Sequence, residues 1–173
     1  MGEARALGGL GRREEMIDEA IEEFKRVIEI KPDNINAYHH LANAYLSNEM
    51  VDEAINGFNK ILEMDPRNRA AYDRLGFIYL DTERYEDAIR AAKKMMELYP
   101  GDAVICSNLG GAYIADGRID EGLETLDMAL KIDPEEPNIY QNLAAAYEKK
   151  GMKEEAEKAN QRFKELIGRV YKT

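Results

Sequence analysis

Apolar residues in this chain recur at three- and four-residue steps, the spacing that gathers side chains on one face of a helix. Between residues 35 and 68 the pattern runs twice. It passes first through Ala37, Leu41, Ala44 and Tyr45, then through Val51, Ala54, Ile55, Phe58, Ile61 and Leu62. A polar turn, Ser47-Asn48-Glu49, separates the two runs, and later stretches carry Asp116-Gly117 and Lys150-Gly151 in its place. Glycine there supplies the left-handed conformation that closes a helix. The pattern predicts helix pairs and no strand.

The pairs repeat. Pro32, Pro66, Pro100 and Pro134 stand thirty-four residues apart, and cutting at that interval gives blocks 1–34, 35–68, 69–102, 103–136 and 137–170. The seventh residue of every block is leucine: Leu7, Leu41, Leu75, Leu109 and Leu143. The eighth is small (Gly8, Ala42, Gly76, Gly110, Ala144), as is the twentieth (Ala20, Ala54, Ala88, Gly122, Ala156). After Gly11 in the first block, the eleventh is Tyr45, Tyr79, Tyr113 and Tyr147. A period of this size is the signature of a stacked-helix solenoid, an architecture that is mostly interaction surface.

Start and stop signals agree with the frame. The second helix of each block is predicted to open on an acidic pair, Asp18-Glu19, Asp52-Glu53, Glu86-Asp87, Asp120-Glu121 and Glu154-Glu155, which offsets the positive end of the helix dipole. The periodic proline marks the helix exit, and Asn34, Asn68 and Asp102 follow it as candidate N-caps. Small eighth and twentieth residues let the two helices cross closely, with Tyr38, Tyr72, Tyr140 and the eleventh-position tyrosines filling the space beside them.

The run Tyr38, Leu41-Ala42, Tyr45, Ala54, Phe58 and Pro66 resembles the tetratricopeptide repeat pattern. So does Tyr72, Leu75-Gly76, Tyr79, Ala88 and Pro100. Cys106 in place of an aromatic and Ala92 in place of a large residue depart from it but remain apolar. The resemblance covers nearly the entire chain. It implies an all-α, right-handed α-solenoid of about five stacked antiparallel helix pairs, a single domain over residues 1–173. It further implies that first helices line a concave groove, through the second, fifth, sixth, ninth and thirteenth residues of each block. The candidate peptide-binding residues are His39, His40, Asn43, Arg74, Phe77, Val104, Asn108, Gln141 and Asn142; Ser107 falls on the same lining. Amides suit an extended backbone because each offers a donor and an acceptor. The carboxylate clamp of co-chaperone members is not matched: in the best frame, His39, Asn43, Arg74, Val104 and Asn108, only Asn43 fits. Arg74 with His39 or His40 could still hold one acidic group.

The two ends read differently. Glu157, Asn160 and Lys164 replace residues that are apolar in earlier blocks, as expected of a terminal repeat with a wettable outer face. In the first block Gly8, Gly9 and Gly11 crowd the first helix, so residues 1 to about 12 are expected to be frayed or loosely docked, as if the chain began partway through a longer protein.

Composition narrows the function. A net charge of −10 argues against nucleic acid, whose binding rests on Lys and Arg neutralising phosphates. Acid gathers at Glu14, Glu15, Asp18, Glu19, Glu22, Glu23 and Glu29, either a solvated outer face or a docking face for a basic partner. No apolar run has the length of a membrane span, and no secretory signal is visible, so a cytoplasmic location is expected. Cys106 is the single cysteine and reads as a buried small hydrophobe. His39 and His40 are adjacent and project about 100° apart on a helix, a poor chelating pair. No nucleophile can be paired with a base, so neither catalysis nor a cofactor or metal is expected. Two readings remain. The first is a protein-protein interaction module, an adaptor or scaffold that binds an extended peptide or a partner helix. The second is a self-associating scaffold that assembles through its ends or convex face. A monomer is expected, with a homodimer through Phe163, Leu166, Ile167, Val170 and Tyr171 as the alternative.

Overall fold

The computed structural model describes the backbone of residues 2–170 and the side chains of residues 14–169. These residues form nine α-helices and no strand. In order they are α1 (Gly2–Ile30), α2 (Ile35–Ser47), α3 (Val51–Met64), α4 (Arg69–Asp81), α5 (Tyr85–Leu98), α6 (Ala103–Ala115), α7 (Ile119–Ile132), α8 (Pro137–Lys149) and α9 (Lys153–Val170). Packing divides the chain into two compact units, Met1–Ile78 and Tyr79–Thr173. In the first, α2 packs against α1 and α3; in the second, α6 packs against α5, α7 and α8, and α8 against α7 and α9.

The residues after the prolines cap the first helices as their chemistry predicts. Asn34 Oδ1 accepts from the Ala37 N–H at 3.1 Å and Asn68 Oδ1 from the Ala71 N–H at 3.1 Å. Asp102 Oδ1 accepts from the Val104 and Ile105 N–H groups at 3.0 and 3.2 Å. The first turns of α3, α5, α7 and α9 hold the acidic pairs from Asp52-Glu53 to Glu154-Glu155.

Between the helices of a pair the chain turns through one left-handed residue, Glu49, Glu83, Gly117 or Gly151. The following N–H then donates to the carbonyl of the periodic tyrosine: Met50 to Tyr45, Arg84 to Tyr79, Arg118 to Tyr113 and Met152 to Tyr147, at 2.7–2.9 Å. This bond satisfies a carbonyl left over at the helix end. Arg84 and Arg118 also lie over the Tyr79 and Tyr113 rings, 5.0 and 4.5 Å from the centroids, and pair with Asp87 and Glu121. One tyrosine thus contributes its backbone to the turn and its ring to an arginine.

The first block departs from expectation. A second helix was to begin at Asp18-Glu19, but α1 runs unbroken from Gly2 to Ile30 and carries that pair in its interior. The residues at the turn position are Arg13, Glu14 and Glu15. Arginine and glutamate propagate a helix, and no glycine or asparagine stands there to close it. The docking expected to be loose for residues 1 to about 12 concerns side chains outside the described residues. At the other end Glu157 and Lys164 are exposed and Asn160 half-buried, whereas Leu166, counted above among apolar residues at the free end, is buried at 5% exposure. It falls on the inner stripe of α9 with Ala156 and Ala159. Phe163 and Ile167 are half-buried; the Val170 side chain and Tyr171 lie outside the described residues.

The small residues mark where helices of a pair cross. A Cβ on Gly122 would come within 2.6 Å of Ile114 Cγ1 and 3.0 Å of the Gly110 carbonyl oxygen. One on Gly110 would meet Leu126 at 2.8 Å. In the second block Ala42 and Ala54 are fully buried, and a Cβ on Gly57 would meet Ala42 Cβ at 2.9 Å. Such contact leaves no room for one further carbon. Phe58 fills the interior beside that crossing and is fully buried.

Two stability measurements test this packing. Gly122→Ala, which in an open helix would gain up to about 1 kcal/mol, should instead cost about 1–3 kcal/mol in denaturant unfolding. A stabilised variant would show that α6 and α7 do not meet there. Phe58→Ala should cost about 3–5 kcal/mol by the same measurement, the range for emptying an aromatic site in a core; a change below 1 kcal/mol would contradict its placement.

Candidate functional site

Helix α2 supplies three of the candidate residues in the first unit. His39 and His40, adjacent on the helix, set their rings edge to face with centroids 6.0 Å apart, and each meets a different phenylalanine. His39 meets Phe58 of α3 edge-on at 5.7 Å, and His40 stacks on Phe24 of α1 at 5.3 Å with 17° between planes. Phe24 and Phe58 occupy the same block position, so the frame carried the signal for this platform, but nothing in it paired them with histidines. Asn43 sits one turn on. Its Nδ2 donates to the His39 carbonyl at 2.7 Å and lies 3.1 Å from His39 Nδ1. Burial pushes the His39 pKa down, and the charges of His40 and Arg74 add to the effect. His39 is therefore neutral at pH 7. With Asn43 donating to Nδ1, its proton sits on Nε2.

Helix α4 adds Arg74 and Phe77. Both are exposed, Phe77 at 65%. Asp73 beside them is held by Arg69 at 3.8 Å, and Arg74 makes no ion pair among the described residues. The structure thus brings His39 within electrostatic reach of His40 and Arg74 and into hydrogen bonding with Asn43, and places Phe77 one turn from Arg74.

The candidates of the second unit divide. Asn108 and Gln141 are exposed. Val104 is half-buried and lines a shallow recess of about 480 Å³ with Tyr99, Pro100 and Ile132. Asn142 serves the fold itself: its Nδ2 donates to the Ser107 carbonyl at 3.0 Å and to Ser107 Oγ at 3.1 Å. Gly111 allows this approach, since a Cβ there would lie 3.1 Å from the Asn142 amide. Ser107 is fully buried, not on an open lining. The reason is α6 itself, which is covered by α5, α7 and α8 and buries nine of its thirteen residues.

Cys106 is 3% exposed, and burial together with the Asp102 charge pushes its thiol pKa up, which keeps it an inert packing group. Among the described residues no cluster of three His, Cys, Asp or Glu side chains could hold a metal ion. No helix among them is long and apolar enough to cross a membrane.

Comparison with known proteins adds the family. The tetratricopeptide repeat matches residues 12–76 and 79–139, and a second description of the same repeat matches 125–158. No curated protein sequence matches. Among solved structures, MamA is similar at 26% identity, with 94% of this chain and 95% of that chain covered and a TM-score of 0.72. MamA residues 41 to the end from Desulfovibrio magneticus RS-1 gives 22% identity, 95% and 91% coverage and a TM-score of 0.68. YrrB, described as a TPR protein with an unusual peptide-binding site, gives 21%, 94% and 82%, and 0.65. Repeat length, capping, helix-pair crossing and these matches agree: the chain belongs to the tetratricopeptide repeat family.

Proposed function

We propose that this chain is a protein-interaction module that holds an extended peptide, or a partner helix, on the first helices of its repeats, as an adaptor or scaffold in a multiprotein complex. The observation that carries the reading is the chemistry left uncovered on those helices. Arg74, Phe77, Asn108 and Gln141 are exposed, and they combine a planar hydrogen-bonding fork, an apolar ring and two amides. Peptide recognition uses such mixtures, in which backbone hydrogen bonds supply affinity and side-chain pockets supply selectivity. The helix-pair fold supports it, and YrrB, a protein of the same fold, has a peptide-binding site. No catalytic step, cofactor or metal enters this reading, and the expected state is monomeric and cytoplasmic.

Self-association is the second reading, favoured by Met128 and Ile132. These lie four residues apart on α7 and are 46% and 42% exposed. Sedimentation separates the two, because assembly through that strip raises the mass with concentration.

The test of the first reading uses a partner captured from native lysate and mapped to a short peptide. Arg74→Ala, Phe77→Ala and Asn108→Ala should each weaken that peptide about tenfold, ~1.4 kcal/mol, with melting temperatures within a few degrees of the parent. Asn142→Ala should lower the melting temperature instead, since it leaves buried Ser107 without its donor. Peptide binding lost only on Glu124→Ala, on α7, would overturn the proposal and move the site to the second helices.

A further inference from the structure

We propose that α4 and the adjoining histidine pair select their peptide by an acidic side chain two residues from a large apolar one, in either chain direction. The inference rests on the peptide-binding reading above and names the ligand class for its first unit.

Arg74 is the starting point. In a chain whose acids outnumber its bases, 34 to 24, an arginine without a carboxylate is a departure. Its neighbours in the first unit do find acids: Lys25 with Glu22, Arg26 with Glu23, Lys60 with Glu63 and Arg69 with Asp73. Arg74 makes no such pair among the described residues and is exposed. A guanidinium offers five N–H donors in a fork that fits a carboxylate side by side. A histidine within its electrostatic reach reinforces the preference. His39 is fixed by Phe58 and by Asn43, leaving Nε2–H as its remaining donor. Arg74 lies near enough to help depress the His39 pKa, so a carboxylate held by the guanidinium has the Nε2–H of neutral His39 as a second donor. Asp73 pulls the other way, but Arg69 offsets its charge.

Phe77 sets the second requirement and the spacing. It is the one aromatic among the exposed large hydrophobic side chains of the described residues. It stands three residues after Arg74, on the same face of α4, where Cβ atoms lie about 5–6 Å apart. In an extended peptide, side chains two residues apart share a side and are separated by about 6.6 Å. An acidic residue opposite Arg74 therefore places the apolar residue two positions away over Phe77. Adjacent peptide residues would point to opposite sides and could not meet both.

A phage-displayed random decapeptide library selected on the full chain tests this directly. Enriched peptides should carry Asp or Glu two residues from Leu, Ile, Met or an aromatic. One such peptide, labelled and titrated, should bind at least tenfold more weakly to Arg74→Ala and to Phe77→Ala. Changing its acid to the amide should cost the parent protein as much, yet cost Arg74→Ala almost nothing. Enriched peptides without that pair that still lose binding on Phe77→Ala or Asn108→Ala would overturn this inference and leave the peptide-binding reading standing. No enrichment, or peptides insensitive to every first-helix variant, would overturn both. A mass that rises with concentration and falls to monomer in Phe77→Ala would assign the patch to a second copy of the chain and overturn the inference.

Discussion

The closeness with which two helix backbones can approach decides how the rest of each repeat is filled. At the α6–α7 crossing Gly110 and Gly122 face each other with no space for a Cβ, and at α2–α3 Gly57 has no space for one against the Cβ of Ala42. Close approach turns the stripes of both helices into a shared interior. There Phe58 and Leu126 are fully buried and Tyr113 nearly so. A larger residue at the crossing would separate the helices and loosen every contact on either side, because a packed interior has few voids with which to absorb a shift. Turn geometry follows from the same constraint. The chain must reverse within two or three residues, and the left-handed residue with its bond back to the periodic tyrosine carbonyl achieves that.

Surface ion pairs add little to this arrangement. Lys150 reaches Asp120 at 2.7 Å and Arg169 reaches Glu135 at 3.1 Å, each linking one block to the next. Both pairs are solvent-exposed, and such bridges contribute about 0–1 kcal/mol apiece. Their value lies in register, since each joins positions that recur from block to block. Cohesion comes from burial, and the charges keep the wetted faces apart.

Much of this was legible in the sequence because repetition averages out local ambiguity. A single small residue in a helix says little; Ala or Gly recurring at the eighth and twentieth positions points to a helix crossing, which Gly110 and Gly122 make, whereas a Cβ on Gly76 would meet nothing within 4 Å. Caps at Asn34, Asn68 and Asp102 were readable for the same reason. The first block was misread where repetition failed. Its frame was extrapolated from blocks that turn, while its own residues, Arg13-Glu14-Glu15, continue a helix. Ser107 was misplaced because a fixed rule about which positions face outward ignores how many neighbours a helix has. With α5, α7 and α8 around it, α6 has little outward face left. The histidine–phenylalanine contacts were invisible for another reason: ring stacking depends on rotamers and helix crossing, which a one-dimensional pattern does not encode.

The candidate recognition residues separate by what their polar atoms already do. Asn142 holds the same repeat position as Asn108 and Asn43 another position of the expected lining, yet each of the two is half-buried and gives its amide hydrogens to the protein, Asn43 to His39 and Asn142 to Ser107. A donor held in that way orders its own helix or its neighbour and has only its carbonyl oxygen left for a ligand. Breaking the bond to bind something else would cost about what the new bond returns. Asn108, Gln141 and Arg74 carry no such commitment among the described residues. In the proposed reading specificity concentrates on the side chains the fold does not use, while the engaged amides tie their own helix or its neighbour in place. The same residue type at the same repeat position thus serves structure at Asn142 and stays uncommitted at Asn108, and burial decides which.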